Sequence, residues 1–93
     1  MTTFRTRWFD RAVIHSDEGF SVHPGRDRLV YCEGKRTMTV TVEMGGKGFD
    51  VFVVTIGRWD DDPQHRVDES KISEISERIT TALKSRGLEV RLL

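Results

Sequence analysis

The sequence predicts an α+β fold: a curled antiparallel β-sheet with one long α-helix packed on one face and a short C-terminal strand. Three stretches carry that reading. Thr37 to Met44, TMTVTVEM, alternates strictly, with Met38, Val40, Val42 and Met44 on one side and Thr37, Thr39, Thr41 and Glu43 on the other. That is a strand with one buried and one wetted face. Phe49 to Ile56, FDVFVVTI, is apolar at nearly every position and predicts a central strand covered on both faces. Ile72, Ile75, Ile79, Ala82 and Leu83 recur at helical spacing and form one apolar stripe.

Along the chain, residues 1–17 form an N-terminal arm in which RAVIH (Arg11 to His15) reads as a strand, and Phe4, Trp8 and Phe9 suggest docking on the body. Residues 19–56 read as an antiparallel meander. GFSVH and RLVYCE are short strands joined by HPGRD, and Glu33-Gly34-Lys35 turns tightly into the long strand. Gly45 to Gly48, GGKG, closes a hairpin with FDVFVVTI. Residues 57–67 are an acidic loop, 68–86 the helix and 88–93 the last strand. Asp68 is the expected N-cap, with Val67 and Ile72 as a hydrophobic staple, and Gly87 ends the helix in a left-handed conformation.

Ninety-three residues make one domain, 1–93. No apolar run approaches the roughly 20 residues that span a bilayer, and the start of the chain lacks the apolar core of a secretory signal. A single cysteine, Cys32, excludes an internal disulfide framework and points to a reducing, cytoplasmic setting. Fifteen basic and fifteen acidic side chains cancel, so the excess of positive charge expected of a nucleic-acid binder is missing. The balance is uneven, however: Phe49 to Ser70 holds six acids against two arginines.

The candidate sites differ in what they imply. GGKG joins two strands rather than a strand and a helix, so it is a turn and not a phosphate cradle. His15, His23 and His65 have no neighbouring partner of zinc spacing. His15 and His23 would converge if their strands pair, which leaves open acid–base cleavage of RNA. Cys32 has no evident base beside it and reads as a small core residue. Arg5, Arg7, Arg11, Arg26 and Arg28 would serve a nucleic-acid-binding module if they shared a face. In RWDDDPQHRVDESK, Asp60, Asp61 and Asp62 are adjacent and followed by Pro63, unlike the alternating ligands of a calcium loop, so no metal site is expected. Acids near a helix start suit its dipole, but that accounts for Asp68 and Glu69 rather than for the triplet. Trp59 beside the triplet either anchors the loop in the core or centres a contact surface for a basic protein patch.

The order of these pieces, GFSV, LVYCEG, TMTVTVE, MGGKGF, FVVTIGRW, DDDPQ, VDESKISEISERI and a final strand, resembles a small α+β family of immunity proteins from bacterial polymorphic-toxin and contact-dependent growth inhibition systems. The resemblance covers roughly three-quarters of the chain, from about Gly19 onward, and includes Gly34, Glu43, Gly46, Gly48, Phe49 and Trp59. It implies a cytoplasmic, non-catalytic antidote without cofactor, bound to the C-terminal domain of a cognate toxin, in many cases a nuclease. On that reading Trp59, Asp60, Asp61, Asp62 and Glu43 form the partner contact, with no direct nucleic-acid or membrane binding.

Overall fold

A computed structural model describes residues 4–7 and 10–93, with side chains described from Val13 onward. It is α+β. Seven strands lie side by side in chain order: β1 (Phe4–Arg7), β2 (Asp10–Ser16), β3 (Phe20–Pro24), β4 (Arg28–Glu33), β5 (Arg36–Met44), β6 (Gly48–Val51) and β7 (Glu89–Leu92). The helix α1 (Glu69–Ser85) connects β6 to β7. Every neighbouring pair is antiparallel except β6 and β7, which run parallel. The expected antiparallel sheet spans β1 to β6, and the C-terminal strand joins it in parallel, because a helix inserted between two neighbouring strands returns the chain to the same end of the sheet. Of the arm, Phe4–Arg7 and Asp10–Ser16 are strands. The docking expected of Phe4, Trp8 and Phe9 lies outside the described side chains.

β5 changes its pairing partway along its length. Its first six residues, Arg36 to Thr41, pair with β4, and its last three, Val42 to Met44, pair with β6. One nine-residue strand thus serves its two neighbours with different parts of its length. The inner, concave face takes alternate residues: Ile14, Phe20, Val22, Leu29, Tyr31 and Met38 are all at most 4% exposed. Onto that face α1 lays Ile72, Ile75, Ile79, Ala82 and Leu83, all buried. Removing one such isoleucine from water contributes about 2 kcal/mol, so this stripe dominates the attachment of the helix.

Both ends of α1 match the sequence expectation. The Asp68 carboxylate accepts the Lys71 backbone N–H at 2.8 Å and the Ser70 hydroxyl at 2.8 Å. At the other end Gly87 has φ +76°, Gly87 N–H donates to the Lys84 carbonyl, and Leu88 N–H reaches back to the Leu83 carbonyl. Those two bonds close the helix, and only glycine adopts that φ without strain.

The second half of FDVFVVTI departs from the predicted strand. β6 ends at Val51, and Val53–Thr55 forms a 3₁₀ turn that leaves Val54 79% exposed. Thr55 is the physical cause. Its hydroxyl donates to the Phe52 carbonyl at 2.6 Å and accepts the Thr41 backbone N–H at 2.9 Å, so a side chain occupies the ladder position that a continued strand would have filled. Gly48, at the start of β6, is needed for a different reason. A Cβ there would collide with the backbone of Glu89, so β7 can lie alongside only because this residue has none.

Candidate functional site

The acidic loop is built on the edge of β5. Beyond Thr41 the strand pairs with β6, but its earlier residues have no strand on that side. The loop supplies the missing partners. Asp60 N–H donates to the Thr37 carbonyl at 2.8 Å, and the Asp60 carboxylate accepts from Thr39 N–H at 3.1 Å and from the hydroxyls of Thr37 and Thr39 at 2.7 and 3.1 Å. With Thr55 on Thr41, these bonds close the edge using side chains in place of a strand.

The neighbouring acids are also engaged. Asp61 accepts from Arg36 at 3.1 Å, and Asp62 lies 2.7 Å from His65 Nδ1 within one turn of chain. Apart from His65, these partners are not legible in sequence, since Arg36, Thr37 and Thr39 lie more than twenty residues away. Asp61 and Asp62 nevertheless keep 65% and 41% of their side-chain surface, and His65 keeps 79%.

Trp59 is 6% exposed and belongs to the core, its ring 6.2 Å from that of Tyr31. The Arg36 guanidinium covers its outer side at 4.8 Å. Of the two roles expected for Trp59, anchor of the loop and centre of a contact surface, its burial fits the anchor: the indole is the buried root of the loop. Glu43 is exposed as expected, but it stands opposite Asp50 on β6. It lies four positions beyond Thr39, about 13 Å along an extended strand. The structure brings Asp60, Asp61 and Asp62 together and leaves Glu43 at the far end of the same strand.

A cluster that the sequence did not suggest sits where α1 meets β4. Glu33 ends β4 on the concave face and receives Lys71 at 2.7 Å and Arg78 at 2.9 Å from positions two turns apart on the helix. The buried Tyr31 hydroxyl donates to Glu33 at 2.7 Å and accepts from Arg78 at 2.9 Å. Glu74 bridges the two cations at 3.2 and 3.1 Å. Partial burial works to raise the Glu33 pKa. The hydrogen bonds from Lys71 and Tyr31, with both nearby cations, outweigh it and hold the carboxyl below its usual range. Burial, followed by the bond to Glu33, pushes the Tyr31 hydroxyl well up, so it stays a protonated donor. With each partner satisfied, the cluster clamps helix to sheet and presents no free reactive group. Its one sequence signal is the i, i+3, i+7 spacing of Lys71, Glu74 and Arg78.

On the convex face β2 and β3 do pair, and His15 stands opposite Ser21. The Ser21 hydroxyl is 3.1 Å from His23 Nε2, so the two histidines flank one serine. His15 Nε2 is buried with no hydrogen-bond partner. Cys32 lies half-buried in the same row, between Ser21 and Thr37, and not in the core where it was expected. Among the described residues no set of three histidine, cysteine or acidic side chains is arranged to hold a metal ion. No helix among them is long and apolar enough to cross a membrane. The side chains of Arg5, Arg7 and Arg11 lie outside the described part, and Arg28 sits 3.7 Å from Asp27.

Comparison of the chain with known protein families, with curated proteins and with solved structures finds no match.

Proposed function

We propose that this chain is a cytoplasmic, non-catalytic immunity protein that binds the C-terminal domain of a cognate toxin, a nuclease in this reading, and neutralises it in a stoichiometric complex. The observation that supports this best is how the loop 57–67 is held. Trp59 buried below it and Asp60 bonded to Thr37 and Thr39 fix its backbone, while Asp61 stays largely and Asp62 partly open to solvent. An acidic loop ordered before binding loses little conformational freedom in a complex. Its charge speeds encounter with a basic cleft. The division of labour is then specific: Trp59 and Asp60 position the loop, and Asp61 and Asp62 meet the partner.

Co-expression with the toxin segment encoded by the adjoining gene tests this. The expected result is a co-purifying complex and restored growth. D61K with D62K should slow association about tenfold at low salt and flatten its salt dependence, with thermal unfolding little changed. Wild-type association by that variant would remove the loop from the contact.

The flanking of Ser21 by His15 and His23 favours a second reading, a small ribonuclease in which the two rings act as acid and base. It requires RNA cleavage by the purified chain that His15→Ala abolishes. Absence of cleavage ends it.

A further inference from the structure

β7 is the last strand of the sheet, and among the described residues nothing pairs with its outer edge. Glu89 N–H donates to the Lys47 carbonyl and Leu93 N–H to the Val51 carbonyl, so the odd-numbered residues face β6. Along a strand backbone groups alternate in direction, which turns the N–H and C=O of Val90 and Leu92 outward. Beside that edge, between β7 and α1, runs a groove of about 530 Å³. Leu92 and Val53 line one wall, and Ile72, Ser76 and Thr80 the other, with Glu69 and Glu77 at the rim. The Thr80 hydroxyl is buried there without a hydrogen-bond partner. No cation among the described residues lies within ion-pair distance of Glu69 or Glu77, whereas Glu74 on the neighbouring face is paired twice.

We infer that the β7 edge and this groove together form a strand-addition site for an extended segment of a partner protein that alternates apolar and basic side chains. A strand laid on β7 continues the sheet about 4.8 Å further out, and every second side chain then points toward α1. The backbone groups of Val90 and Leu92 supply affinity without regard to sequence. The groove selects: its apolar floor takes a short aliphatic side chain, and Glu69 and Glu77, two helical turns apart, take lysine or arginine on either side of it. Leu92, 46% exposed, adds apolar surface under such a segment. The inference holds whether or not the partner is a toxin, because it uses a surface separate from the loop 57–67.

The test uses the full chain, ¹⁵N-labelled, titrated with a capped seven-residue peptide of alternating valine and lysine and, in parallel, with its valine–glutamate counterpart. Saturable shifts at Val90, Leu92, Ser73 and Glu77 with the lysine peptide, slowed amide exchange at Val90 and Leu92, and no response to the glutamate peptide are expected. Glu69→Lys with Glu77→Lys, both on the helix surface, should weaken binding at least about tenfold while leaving the spectrum folded. Leu92→Pro removes an outward N–H without touching the ladder to β6 and should weaken it as much. Equal binding of both peptides, shifts elsewhere, or a concentration-dependent dimer through β7 that excludes the peptide would each overturn the proposal.

Discussion

Two strand edges of this molecule are treated in opposite ways. The early half of β5 is closed by Asp60, Thr55 and the backbone of the loop, borrowed from fourteen to twenty-three residues further along the chain. The outer edge of β7 carries no such cover among the described residues. An unpaired edge is a template for another chain, so a fold that closes one with several directed bonds and leaves the other bare separates a structural edge from an available one. The comparison also reassigns the aspartate triplet. Asp60 holds the closed edge, and only Asp61 and Asp62 are left to face outward.

That contrast can be broken at each of its supports. Glu33→Gln has the largest expected cost, about 2 kcal/mol at pH 7, because it leaves Lys71 and Arg78 half-buried against a neutral amide. Its pH dependence has a definite sign. A carboxyl held below its usual range stabilises the fold above about pH 4.5, and that contribution disappears as pH falls through the lower folded value. Urea titrations at pH 7 and at successively lower pH below 4.5 should show the gap between wild type and E33Q narrowing. Asp60→Ala should cost about 1.5 kcal/mol and also uncover β5, so sedimentation should reveal self-association that the wild type lacks. Asp60→Asn, which keeps one acceptor oxygen, should restore part of both. Smallest is Leu92→Lys at the bare edge, expected to shift unfolding by less than about 0.5 kcal/mol. A large loss there would mean that β7 is part of the core rather than an available edge.

Legibility from sequence tracked how local the cause was. The α1 boundaries were readable because Asp68 and Gly87 act within one turn of their own positions. The long strand was readable because period-two burial repeats along one segment. FDVFVVTI misled because an apolar run states only that its residues avoid water. Whether Thr55 continues a ladder or closes one depends on Thr41, fourteen residues away. Trp59 was open between anchor and contact for the same reason, since nothing near it names Tyr31 or Arg36 as its neighbours.

By itself, then, the sequence determined an α+β domain with one capped helix, a neutral total charge and an acidic central segment, because composition, periodicity and capping are properties of the chain in any conformation. Only the tertiary structure decided that β7 returns parallel against Gly48, that each aspartate of the triplet has its own partner, and that Glu33 gathers Lys71 and Arg78 under Tyr31. Those are pairings between distant residues. The energy of a hydrogen bond or ion pair depends on geometry within a few tenths of an ångström, which the order of residues along the chain does not specify.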